Sequence, residues 1–245
     1  MFRAALSRFC NSPPLVLLQP RLAPGLRLRQ PAARQHLSSK RCDFPRLDDP
    51  ERAILLVCDI QERFRGLIWG GESVINRAAL VRSVCRLLKI PVLATEQNPA
   101  AFGPTVPELQ VKDADDASVF HKTSFSMLGS KGLVDELNKS KRTKIILVGI
   151  EAHACCLQTV LDLGQTNRGA DRPAFETFVI CDAVSSQRAH DRTVALNRMQ
   201  SVGAATLCTA ESAIFELLGD ASHPRFREAS SLIKAANARC ASTPF

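Results

Sequence analysis

The chain has 245 residues, 45% of them apolar, which is enough to bury one sizeable core and leaves little for a second. A formal net charge of +8 would ordinarily point to nucleic acid or an anionic membrane, but the excess is confined to the first 42 residues. Arg3, Arg8, Arg21, Arg27, Arg29, Arg34, Lys40 and Arg41 lie there with no acid among them, leaving 24 basic and 24 acidic residues for the rest of the chain and no basic surface to be expected on it.

Residues 1–42 are rich in Arg, Leu, Pro and Ser, and Phe2, Leu6 and Phe9 would line one face of a short helix opposite Arg3 and Ser7. This is the composition of a mitochondrial transit peptide, so the expected location is the mitochondrial matrix, with cleavage between Arg34 and Asp43. A globular domain is then expected over 43–240. The apolar run Pro14 to Leu18 is short of a secretory core of about 7 to 15 residues, and no run approaches the roughly 18 needed for a membrane span.

Beyond the leader, apolar strands alternate with helical periods. Ala53 to Ile60 reads as a strand, Val74 to Leu88 as a helix and Val92 to Thr95 as a strand entering a loop marked by Pro99, Gly103, Pro104 and Pro107. A weaker strand follows near Ser118 to His121, then a helix at Leu133 to Asn138 and a strong strand at Lys144 to Ile150. The remainder reads as a helix over His153 to Leu163, a strand over Thr177 to Asp182, a helix over His190 to Gln200, a strand over Ala205 to Cys208, and helices over Glu211 to Leu218 and Phe226 to Ala236. Continuous apolar strands imply a sheet covered on both faces, hence a parallel sheet in a three-layer α/β/α fold. In such sheets ligands bind at the carboxyl ends of the strands, where the strand order reverses.

Three reactive side chains fall at such ends: Asp59, Lys122 and Cys155. Cys155 would begin a helix, where the dipole and free amides favour thiolate and bring its pKa below the ordinary thiol value. Those amides would also suit an oxyanion. Cys156 shares the spacing of Leu157, Val160 and Leu161, a buried stripe, whereas Cys155 aligns with Thr159 and Asp162 on a more polar face, so Cys155 is the better nucleophile. Asp59 supplies a proton acceptor at the mouth of an apolar strand, and Lys122 a cation. Gln61, Phe64, Gln97 and Phe125 are the candidates for lining a substrate pocket. The nine cysteines are odd in number and scattered, with no pattern of zinc ligands, which argues against a disulfide framework.

Asp59-x-Gln61-x-x-Phe64, Lys122 ahead of Phe125-Ser126, and Gly149-(x5)-Cys155 together resemble the isochorismatase-like cysteine hydrolases. Thr95-Glu96-Gln97-Asn98-Pro99 and the segment Val179 to Ser186 look closer still to the mitochondrial isochorismatase domain-containing proteins of that family. The resemblance covers about Ala53 to Ala236. It implies a six-stranded parallel sheet in the order 3-2-1-4-5-6, a cis peptide between Ile150 and Glu151, and an oxyanion site at the amides of Ala152 and Cys155. It also implies an amidase cycle in which Asp59 takes the Cys155 proton, and a homo-oligomer.

Nicotinamidases of this family carry a histidine metal site after the second strand, but no His lies between Gln97 and Phe120. No metal and no organic cofactor is therefore expected. The expectation is a hydrolase of a small-molecule substrate, most simply an amide, with neither nucleic acid nor membrane as partner. A catalytically silent or protein-binding member of the fold is the alternative, and a redox sensor built on Cys155 and Cys156 a third reading. His153 in the first turn reads as a surface or packing residue, and Trp69 as exposed packing beside the mouth.

Overall fold

The first strand, β1 (Ala53–Cys58), is apolar throughout and buried along its whole length, as a central strand covered on both faces must be. The computed structural model describes residues 44–112, 114–167 and 174–240. The leader assigned to residues 1–42, and residue 43 at the expected domain start, lie outside them.

In chain order, α1 (Gly71–Leu87) is followed by β2 (Val92–Gln97), the single turn α2 (Pro99–Phe102), β3 (Ala117–Lys122), α3 (Lys131–Ser140) and β4 (Lys144–Ile150). A π-helical turn over Ala152–Cys156 leads into α4 (Leu157–Thr166), then come β5 (Glu176–Ser185), α5 (Ala189–Ser201), β6 (Thr206–Cys208), α6 (Ala210–Leu218) and α7 (Phe226–Cys240). The six strands form one sheet in the order β3-β2-β1-β4-β5-β6, every pair parallel. Both the three-layer class and the strand order agree with the sequence-based expectation.

Alternation along the strands sorts side chains into two cores. Leu55, Val57, Ile146, Val148 and Ile150 face one side, where Val74 and Val81 of α1, Ile214 of α6 and Ile233 of α7 cover them. Ile54, Leu56, Cys58, Ile145 and Leu147 face the other, under Leu133 of α3, Val160 of α4 and Met199 of α5. Each fully buried aliphatic side chain contributes roughly 1.5–3 kcal/mol, so the two clusters clamp β1 and β4 at the centre. Among the described residues no helix is long and apolar enough to cross a membrane.

The largest departure from the expected elements is β5, which runs to Ser185 rather than Asp182. Its register against β4 shifts from Leu147↔Val179 to Gly149↔Val184. The extra residues form a bulge that carries Ser185 and Ser186 up beside the end of β4.

Candidate active site

The reversal of strand order lies between β1 and β4, and the chain leaves β1 abruptly there. Asp59 takes φ +51°, a left-handed value unusual for a residue with a Cβ, and this ends the strand at Cys58 rather than at Ile60. Opposite Cys58 in the ladder stands Gly149, at φ +153°. A Cβ on Gly149 would lie 2.5 Å from both the Cβ and the carbonyl oxygen of Cys58. Glycine is thus what lets the ends of β1 and β4 approach.

Asp59 is buried, and both carboxylate oxygens are engaged. Thr95 Oγ1 on β2 donates to Oδ1 at 2.7 Å, and Lys122 Nζ donates to Oδ2 at 2.6 Å. The Cys58 thiol reaches Oδ2 at 3.7 Å. Lys122 is the last residue of β3, two strands away, so its stem crosses the end of β2 to arrive there. Its ammonium also donates to Gln97 Oε1 at 2.7 Å and to the carbonyl oxygens of Ser124 and Phe125, each at 3.0 Å. Three N–H donors therefore meet four acceptors, and the side chain is 1% exposed. Burial works against the charge of Lys122, but the combined pull of Cys58 and Asp59 outweighs it and holds the ammonium above its ordinary pKa.

Cys155 arrives from the other side of the switch point. The Ile150–Glu151 peptide is cis, and the Glu151 carbonyl accepts from both Ala154 N and Cys156 N, the second an i→i+5 bond that makes the turn π-helical. Cys155 thus lies inside this turn, ahead of α4, and not in the first turn of an ordinary α-helix as the sequence suggests. Thr159 fastens it: its hydroxyl donates to the Cys155 carbonyl at 2.7 Å and accepts from Met127 N at 3.0 Å. Thr159 is fully buried, which corrects its assignment to a polar face. Cys155 keeps 8% of its surface open, and Cys156 keeps none.

The direction of the Cys155 pKa is also corrected. A hydrogen bond to Cys58, burial, and the charge of Asp59 push the thiol well above its ordinary value, with Lys122 pulling the other way. A helix-end argument omits these neighbours. Asp59 and Lys122 themselves form a buried ion pair at 2.6 Å.

The four candidate pocket residues divide. Gln61 is 1% exposed and spends its amide on the backbone, donating to the carbonyls of Gln97 and Gly103 at 3.1 and 2.7 Å and accepting from Gln97 N at 2.8 Å. It ties two loops together and leaves no polar group for a ligand, which corrects its reading as a substrate contact. Gln97 holds Lys122 and donates to the Thr123 carbonyl at 2.8 Å. Phe64 packs on Phe102 with ring centroids 4.9 Å apart and, with Ile60, Ile68 and Ile150, borders a small apolar cavity. Phe125 is 64% exposed, although its own carbonyl accepts from Lys122.

Around the opening, Ser186 Oγ lies 2.9 Å from His153 Nδ1, and Glu151 accepts from Gln187 N at 2.9 Å. Trp69 is held there by its amide, which donates to the Ser186 carbonyl at 2.9 Å, and by its carbonyl, which accepts from Ser185 Oγ at 2.7 Å. Sequence reasoning missed Cys58, Thr95 and Thr159. Thr95 entered only within a family motif and Thr159 only as a helix-face neighbour, and it is the pairing of β1 with β2 and the fold of the turn that bring these residues to the site. Among the described residues no group of three or more His, Cys, Asp or Glu is placed to hold a metal ion.

The isochorismatase domain model matches residues 53–211. Isochorismatase domain-containing protein 2A of Mus musculus is 44% identical over 186 residues, 76% of this chain and 84% of the relative. The secreted isochorismatase effector Isc1 of Phytophthora sojae is 40% identical over 193 residues, covering 76% and 86%. Among solved structures, the MAR1 ribonuclease from Caenorhabditis elegans superposes with a TM-score of 0.69 at 38% identity, over 76% of this chain and 91% of that one. A family match across the sheet and both sides of its switch point, with relatives alike along most of their own length, means that the chain belongs to the isochorismatase family.

Proposed function

We propose that the chain is a metal-independent cysteine hydrolase of a small uncharged amide, with Cys155 as nucleophile, Asp59 as the proton-transfer group and Lys122 holding Asp59 in place. The observation that carries this reading is the buried Asp59–Lys122 pair at 2.6 Å at the end of β1, with Cys155, 8% exposed, in the turn that follows the neighbouring strand β4. A thiol kept protonated needs a base at the moment of attack, and Asp59 is the carboxylate at the end of the neighbouring strand. In this cycle Asp59 accepts the Cys155 proton as Sγ attacks the carbonyl carbon. The amides of Ala152 and Cys155 receive the oxyanion. Asp59 then gives the proton to the leaving amine, and water, deprotonated by Asp59, releases the acid from the thioester. Lys122 has no donor to spare for a substrate carboxylate, which favours a neutral substrate.

The same proposal includes import into the mitochondrial matrix by residues 1–42, a hydrolase domain over 43–240 and a homo-oligomer. The acid-free leader supports the first of these. The mature amino terminus should fall between Arg34 and Pro50 when the protein is isolated from mitochondria, and light scattering reads the assembly. The charge balance beyond residue 42 gives no reason to expect RNA as substrate.

The test is a screen of the leaderless protein against small carboxamides, esters and a structured RNA, with and without chelator, alongside Cys155→Ala. Turnover of a carboxamide that survives chelation and vanishes in Cys155→Ala supports the proposal. RNA cleavage that persists in Cys155→Ala, or activity that needs metal, counts against it.

A further inference from the structure

Asp59 sits at φ +51°, in a backbone region that a residue with a Cβ keeps only when its surroundings hold it there. Thr95, which stands opposite Cys58 in the pairing of β2 with β1, holds it on two sides. The Thr95 carbonyl oxygen accepts from Asp59 N at 3.2 Å, and the Thr95 hydroxyl donates to Asp59 Oδ1 at 2.7 Å. One residue thus grips both the backbone and the carboxylate of Asp59. Thr95 has no exposed surface, and its branched Cβ restricts χ1, so packing aims the hydroxyl.

We infer that Thr95 is a positioning residue of the proposed site: by clamping Asp59 it sets the direction in which the carboxylate takes up a proton. Among the described residues the two carboxylate oxygens are unequally occupied. Oδ2 meets the Lys122 ammonium at 2.6 Å and the Cys58 thiol at 3.7 Å, whereas Oδ1 meets the Thr95 hydroxyl alone. An ionised carboxylate oxygen has two acceptor positions, so Oδ1 keeps one for an incoming proton. Lys122 anchors the opposite oxygen, and a carboxylate anchored at one oxygen can still pivot. The second anchor, from Thr95, fixes where the open position of Oδ1 points.

The step this serves is the first of the proposed cycle. The S–H bond of Cys155 breaks, the proton passes to Asp59 Oδ1, and the electron pair left on sulfur forms the bond to the substrate's carbonyl carbon as the carbonyl π pair moves onto oxygen. The inference rests on Asp59 being the base of that reading. Thr95 acts through Asp59, so its hydroxyl should matter only while residue 59 can accept a proton. A Thr that merely filled space would be replaced without loss by Val, which keeps the shape and lacks the donor.

The experiment measures single-turnover acylation of Cys155 by p-nitrophenyl acetate in the full chain, in Thr95→Val, Thr95→Ser and Asp59→Asn, and in the double variant Thr95→Val with Asp59→Asn. Thr95→Val should be slower by roughly tenfold to a hundredfold, the effect of losing one hydrogen bond to a charged group. Thr95→Ser, which returns the hydroxyl, should recover most of that loss. In the Asp59→Asn background Thr95→Val should add little further slowing. Thr95→Ser as slow as Thr95→Val, Thr95→Val as fast as the wild type, or an equal loss with and without Asp59 would each overturn the inference. Wild-type Cys155 that is never acylated would overturn the proposed function instead, and urea unfolding of the same proteins then decides the clamp. Coupled losses for Thr95→Val and Asp59→Asn uphold it, and additive losses overturn it. Thr95→Ala takes the place of Thr95→Val should that variant not fold.

Discussion

Lys122 Nζ and Asp59 Oδ2 lie 2.6 Å apart, with side chains 1% and 2% exposed, although the two residues come from strands that do not touch. An ion pair this buried is costly to break on one side, because the surviving charge keeps its desolvation penalty without its partner. Lys122→Met should lose roughly 3–5 kcal/mol of stability. Adding Asp59→Asn should return part of that loss while leaving the protein inactive. Urea unfolding of the two single variants and the double variant checks this, since additive losses would mean the pair is not coupled.

Gly149→Ala places a methyl group where the Cβ and carbonyl of Cys58 already are, at a φ of +153°. The nearest atoms are backbone and β-carbon of a central strand, which cannot swing aside. The substitution should cost at least about 1–3 kcal/mol, and it should reduce activity by shifting Asp59, the residue that follows β1. A variant with wild-type unfolding midpoint and activity would show that the strand ends have slack.

Thr159→Val keeps the shape of the side chain and removes its hydroxyl. The Met127 amide then loses its acceptor in a buried site, at a cost of about 1–3 kcal/mol, and the carbonyl of Cys155 loses its donor. Activity should fall more than stability alone explains, because the turn that aims Cys155 is no longer tied to the segment after Lys122. Equal kcat in Thr159→Ser and Thr159→Val would contradict this.

Stability should decline in alkali. Burial raises the Cys85 thiol from its ordinary 9.0 to about 12, and that of Cys208 likewise to about 12. Above pH 9 the unfolded chain releases these protons while the folded chain retains them, so the unfolded state binds fewer and folding free energy falls as pH rises. The contribution is intact below pH 9 and is lost progressively towards pH 12. Cys85→Ala, which sacrifices packing at every pH, should therefore be less destabilising relative to wild type at pH 10.5 than at pH 7. Thermal unfolding at the two pH values measures the difference.

Much of the fold was legible because its strands are short apolar runs separated by helical periods, and a doubly covered parallel sheet is the arrangement that buries such runs. Asp59, Lys122 and Cys155 stood out because each is a reactive side chain at or just beyond the carboxyl end of a strand. What could not be read locally depends on neighbours distant in sequence. Thr95 could be picked out as part of a motif, but its bond to Asp59 shows only once β2 is set beside β1. Gln61 looked like a polar side chain at the mouth, yet the backbone of Gln97 and Gly103 consumes its amide. The direction of the Cys155 pKa was misjudged because a helix dipole can be inferred from one segment, whereas Cys58 and Asp59 reach the thiol only through the pairing of β1 with β4. The bulge in β5 left no mark in its composition, and it is what brings Ser185 and Ser186 up to Trp69 and His153.

The proposed chemistry turns on a covalent bond to one sulfur atom. The most direct measurement mixes the leaderless protein with p-nitrophenyl acetate, quenches within the first turnover and locates the acetyl group by peptide mapping, in wild type and in Asp59→Asn. Acylation at Cys155 alone, much slower when Asp59 cannot accept the proton, is the predicted result. Acetyl transfer to Cys156 or Cys58, or acylation of Cys155 at an unchanged rate in Asp59→Asn, would contradict nucleophilic catalysis by Cys155 with Asp59 as its base.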